Sequence, residues 1–92
     1  MKLNNRIAAA PHVTATPLPG ELVLLQLETG YYYGLGEIGA RAWTFLVTEG
    51  LSVGDAAMKI TLEFETELAQ AQDDLLKLVI SLQAAKLVQL AQ

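Results

Sequence analysis

The chain has no cysteine, one histidine, two serines and few charges: only 17% of its 92 residues are Asp, Glu, Lys or Arg. Without cysteine there is no disulfide and no thiolate metal site, so packing alone must hold the fold. Ser52 reads as a helix cap and Ser81 lies on a polar helix face. Neither has His12 in a position to activate it, which excludes a Ser–His nucleophile. Asp73 and Asp74 are neighbours on a helix and diverge by about 100°, so they do not form a facing acid pair. No apolar run exceeds four residues, whereas a membrane span needs about 20. The six basic residues are scattered and the net charge is −4, which argues against nucleic acid, whose phosphates require clustered cations. The start, Met1–Ala10, has no apolar segment of signal-peptide length, and the expectation is a cytoplasmic protein. No catalytic residue, metal site or cofactor is expected.

What the chain does have is apolar surface: 52% of its residues are hydrophobic. At this length it forms one domain, which cannot hide all of that surface. Exposed apolar patches on small domains meet partners.

Residues 1–10 read as a flexible N-terminal tail, with a single domain over 11–92. His12–Thr16 alternates as a short strand, and Pro17–Gly20 turns the chain. Glu21–Glu28 alternates strongly, with Val23, Leu25 and Leu27 on one face and Leu22, Leu24 and Gln26 on the other. Thr29-Gly30 marks a tight turn, and Tyr31, Tyr32 and Tyr33 begin a third strand that ends near Leu35. The period then becomes helical. Gly39, Ala42, Trp43 and Leu46 share one face, widened by Ile38 and Phe45, and Gly50 stops the helix. Ser52–Asp55 resembles a capping box for a second helix that buries Val53, Ala56, Ala57, Ile60 and Phe64. A third helix spans about Thr66 to Lys86 with Leu75, Leu78, Val79 and Leu82 as its main stripe, and Leu87–Leu90 suits a closing strand. The fold class is therefore α+β: a three-stranded antiparallel meander, then three helices. Gly34-x-Gly36-x-x-Gly39 matches a dinucleotide fingerprint by letter only, because its strand belongs to a meander and not to a parallel βαβ unit.

The ordered set Glu28-Thr29-Gly30, Tyr32-Tyr33-Gly34-Leu35, Gly39-x-x-Ala42-Trp43-x-x-Leu46, Gly50-Leu51-Ser52-Val53, Asp74-Leu75-x-x-Leu78-Val79-x-x-Leu82 and Leu87-Val88 resembles the PqqD family from His12 to Val88. That family includes the leader-binding recognition elements of peptide natural-product pathways. In its short free-standing form the chain looks most like the leader-binding B proteins of split lasso-peptide systems. Two departures stand out: Gly36 where the family often has Asn, and Lys86 where it often has Gly.

The resemblance implies a winged helix-turn-helix with an added meander, which binds the leader of a precursor peptide and hands it to a separate protease or modifying enzyme. The leader is expected to add as a strand to the tyrosine strand, beside the third helix. On that basis Tyr31, Tyr32, Tyr33, Gly34 and Leu35 are candidate peptide-binding residues. Leu76 and Ile80 lie off the main helical stripe and are expected to form the facing wall, bordered by Asp73 and Lys77. Two other readings stay open: a PqqD-type chaperone presenting its peptide to a radical enzyme in pyrroloquinoline quinone synthesis, and a winged-helix DNA-binding regulator. The third helix and its approach carry Glu67, Asp73 and Asp74 against Lys77 and Lys86, which counts against the regulator.

Overall fold

Alternation decides the centre of the meander. In the computed structural model, which describes residues 1–91, β3 (Glu21–Gln26) buries Leu22, Leu24 and Gln26 and leaves Val23 and Leu25 half-buried. It is flanked by β2 (Val13–Leu18) and β4 (Tyr31–Leu35), both antiparallel, in the order β2-β3-β4. Gly30 joins β3 to β4 with φ +75°, a conformation that glycine adopts at little cost. Leu27, expected on the Val23 face, is exposed beyond the end of β3.

Three helical stretches follow, as the periodicity predicts. Helix α1 (Glu37–Trp43) starts at Gly36 and continues as a π-helical turn, Thr44–Thr48, burying Ala42, Trp43, Phe45 and Leu46. Ile38 was expected on that buried stripe, but its side chain is exposed. Helix α2 (Val53–Phe64) buries Val53, Ala56, Ala57 and Ile60. Helix α3 (Leu68–Ala84) buries Ala71, Leu75, Val79 and Leu82, with Leu78 half-buried. Arg41 donates two hydrogen bonds to Glu63, at 2.7 and 2.8 Å, and clamps α1 to α2. That hydrogen bonding holds the Glu63 carboxyl below its ordinary range.

The start of the chain departs from the sequence expectation. Residues 1–10 are not a loose tail. Ile7–Ala9 forms a strand, β1, antiparallel to a closing strand β5 (Val88–Leu90), and Ile7 is only 3% exposed. The physical reason lies in α2, whose first-turn N–H groups need acceptors. The Asn5 and Leu3 carbonyls accept from Val53 and Gly54, while the Ser52 side chain and carbonyl accept from Asp55 and Ala56. Gly54 suits this approach, because a Cβ there would meet the Leu3 oxygen at a tight 3.2 Å. Arg6 adds a bond to the Gly50 carbonyl. The expected domain boundary at residue 11 is therefore not a structural one, and its other end, Gln92, lies outside the described residues.

One buried polar side chain joins the two sheets to α3. Gln26, 2% exposed, donates to the carbonyls of Lys86 (2.7 Å) and Pro11 (3.3 Å) and accepts from the Glu28 N–H (3.0 Å). Replacing it by leucine keeps the volume but strands these buried groups, at about 1–3 kcal/mol for an unpaired one. Gln26→Leu is expected to lower folding stability by about 2 kcal/mol or more, read from urea unfolding curves.

Candidate peptide-binding cleft

A strand shows alternate side chains to opposite faces. The pairing of Leu22, Leu24 and Gln26 with Leu35, Tyr33 and Tyr31 puts these three β4 residues on the inner, helix-side face. Tyr32 and Gly34, opposite Leu25 and Val23, point outward. Exposure rises steadily along the inner face: Leu35 is 4% exposed, Tyr33 half-buried and Tyr31 49% exposed. The sheet thus leaves the helices toward Tyr31 and opens a cleft of about 830 Å³. Tyr31 and Tyr33, with ring centroids 6.3 Å apart, and the Thr29-Gly30 turn form one side. The other side is the end of α3: Ser81, Ala84 and Ala85, then Lys86. These helix side chains are small, and that is what keeps the cleft open.

The edge of β4 borders this cleft. The sheet has two free edges, β2 and β4, and on each of them alternate N–H and C=O groups point away from the paired strand. The β2 edge contains Pro17, which has no N–H to offer, whereas β4 contains no proline. Only the β4 edge therefore combines an unblocked ladder with a hollow for side chains.

The structure sorts the sequence candidates. Tyr31 and Tyr33 line the cleft. Tyr32, 67% exposed, lies on the opposite face of the sheet. Gly34 is exposed with nothing within 4 Å of a built Cβ. Leu35 corrects an expectation, because its side chain belongs to the core. On the helix, Leu76 is half-buried against the core, so it does not form a free wall. Ile80 is 53% exposed. Asp73 and Lys77 form an exposed ion pair at 2.9 Å, and this bond raises the Lys77 pKa. At about 100° per residue, Ser81 and Ala85 lie about 140° and 180° round the helix from Leu76, and only Ala84 falls near Ile80 and Lys77, so the observed wall meets the expected flank only at its edge. The wall lies later on α3 and further round the helix than expected. Sequence reasoning missed Thr29, Gly30, Ser81, Ala84, Ala85 and Lys86 as lining residues. Continuing the flank from Ile80 by four residues reaches Ala84, a signal that was present but attached to a small side chain.

Chemically the cleft offers hydroxyls, ring faces, one ammonium and an unpaired strand edge. No cluster of His, Cys, Asp or Glu able to hold a metal ion occurs among the described residues, and no helix there is long and apolar enough to cross a membrane.

An open edge strand beside a helix has the unpaired groups that an extended peptide can satisfy. The family model for coenzyme PQQ synthesis protein D (PqqD) matches residues 21–88, and the chain belongs to the PqqD family. The fold is similar to that of TbiB1, solved in complex with the TbiA(beta) leader peptide: 28% identity, TM-score 0.82, covering 89% of this chain and 94% of that one. It is similar also to a lasso peptide synthetase B1 complexed with the leader peptide: 27% identity, TM-score 0.83, covering 91% of this chain and 98% of that one. A comparison with curated proteins finds no match.

The burial pattern separates fold residues from surface ones on α3. Leu75, 3% exposed, should cost about 2–5 kcal/mol of stability on truncation to alanine. Ile80→Ala should cost less than about 1 kcal/mol, because the side chain is half in water already. Thermal and urea unfolding of the two variants checks the contrast.

Proposed function

We propose that the chain is a non-catalytic binding module that captures the leader of a ribosomal precursor peptide and delivers it to a separate processing enzyme, in lasso-peptide biosynthesis. The observation that carries this reading is the proline-free β4 edge opening onto the cleft beside α3. The similarity to two B1 proteins solved with leader peptides supports it. In this reading the leader adds as a further strand on Tyr31–Leu35. Its backbone pairs with the edge, and alternate side chains enter the cleft between Tyr31, Tyr33 and the α3 wall. Ile80, Asp73 and Lys77 are exposed on α3 outside the lining of the cleft and would meet a peptide only beyond it. The module works in the cytoplasm, where precursor peptides are made.

A second reading has its own support. The matching family model describes a protein of PQQ synthesis, so the same cleft suits a chaperone that presents its peptide to a radical enzyme. A precursor gene beside this one, and the enzyme encoded with it, separate the two. A DNA-binding role has less support, since α3 carries Asp73 and Asp74 in its exposed turns and Lys77 is neutralised by Asp73.

The test is fluorescence polarisation with a labelled synthetic leader from the neighbouring precursor gene, and with the TbiA(beta) leader as a heterologous probe. Tyr31→Ala and Tyr33→Ala should each weaken binding roughly tenfold to a hundredfold, the range of truncated hot spots. Tyr32→Ala should leave affinity unchanged, since its ring points away from the cleft. Absence of binding by the wild-type chain to its own leader, or binding to a DNA duplex instead, would refute the proposal.

A further inference from the structure

Lys86 stands where the backbone favours another residue. It follows the C-cap of α3, Ala85, with φ +60°. The Leu87 N–H bonds to the Leu82 carbonyl and the Lys86 N–H to the Gln83 carbonyl. This is a Schellman termination, with Leu87 and Leu82 packed together in the core. Its left-handed position is the one glycine fills without strain, and a side chain there carries a conformational cost. A lysine near a helix C-terminus does favour the negative end of the dipole. That benefit was open to Gln83, Ala84 or Ala85 at no backbone cost, so it does not explain the choice of this position.

Three observations converge on the ammonium. Of the residues that line the cleft, Lys86 is the only charged one. Among the described residues it makes no ion pair; Glu28 lines the hollow on its other side and is not bonded to it. Its backbone is held fast, because the buried Gln26 side chain donates to its carbonyl at 2.7 Å. Two other non-glycine residues, His12 and Glu65, share the left-handed conformation, and neither lines the cleft. Backbone strain retained at a cleft-lining position is one of the places where functional residues cluster.

We propose that Lys86 sets the charge preference of the bound peptide by pairing with an Asp or Glu side chain at the Tyr31 end of β4. The proposal rests on the peptide-binding reading above. It adds that the peptides this chain selects carry an acidic residue at a fixed spacing from the apolar anchors that enter beside Tyr31 and Tyr33. Lys77 does not serve in this way, since it does not line the cleft and pairs with Asp73 on the exposed face of α3.

The experiment is selection of a randomised linear peptide library on the immobilised wild-type chain, on Lys86→Gly and on Lys86→Glu, with melting curves for all three. Wild type should enrich peptides with an acidic residue at one register position. Lys86→Gly should keep the apolar anchors and lose the acidic preference, while melting a few degrees higher as the strain is relieved. Lys86→Glu should enrich Lys or Arg at the same position. A single wild-type-selected peptide should bind Lys86→Gly about tenfold more weakly, with a flatter salt dependence. Identical selected sequences on all three proteins would overturn the proposal. So would a Lys86→Gly protein that melts lower and selects the wild-type sequences, which assigns the lysine to the fold. If the wild-type chain selects nothing, or its peptides bind Tyr31→Ala equally well, the underlying peptide-binding reading fails instead.

Discussion

The side-chain amide of Gln26 governs the geometry of this small fold. It sits at the end of the central strand, closed off from water, and its donors and acceptor reach three chain segments at once: the end of α3, the approach to β2 and the turn into β4. A buried amide is stable only when its partners are all in place. The arrangement therefore fixes the C-terminal end of α3 relative to β4, and with it the width of the cleft between them. A hydrophobic residue at this position would fill the same space but would hold none of these groups in register.

The rest of the architecture follows from satisfying helix ends. The first turn of α2 takes its acceptors from Leu3, Asn5 and Ser52, which draws the N-terminal segment across the helix and makes Ile7 part of the core. The last turn of α3 is satisfied by the Schellman bonds at Lys86 and Leu87, which turn the chain directly into β5 to pair with β1. Both ends of the chain thus close one two-stranded sheet, and the three-stranded sheet keeps the edge that matters for binding. The two free edges of that sheet are chemically unequal. Pro17 interrupts one, and the other runs unbroken beside small helix side chains. A strand-adding ligand is directed to one edge by this inequality alone.

Much of this was written in the sequence. Alternation in Glu21–Gln26 and the helical spacing of Ala42, Trp43 and Leu46, of Val53, Ala56 and Ile60, and of Leu75, Val79 and Leu82 reflect local geometry, and all of these residues but the solvent-facing strand positions are buried as that geometry requires. The same-side placement of Tyr31 and Tyr33 follows from period two alone. Ile38 and Leu76 show the limit: their spacing marks a flank, and a flank becomes core or surface according to which element packs on it.

The sequence by itself determined the order of the meander, the helices and the closing strand, and the core faces of the helices, because each depends on neighbours a few positions apart. It did not reveal that residues 1–10 are bound into the fold, since that depends on the N–H groups of a helix some fifty positions away in the chain. Nor did it show which face of β3 is inner, that Leu35 is core, or that the cleft ends at Ala84 and Lys86 instead of at Leu76 and Ile80. Those were decided by tertiary structure, because they depend on contacts between segments distant in sequence, the core packing of Leu35 and the hydrogen bonds of Gln26 to Pro11 and Lys86 among them.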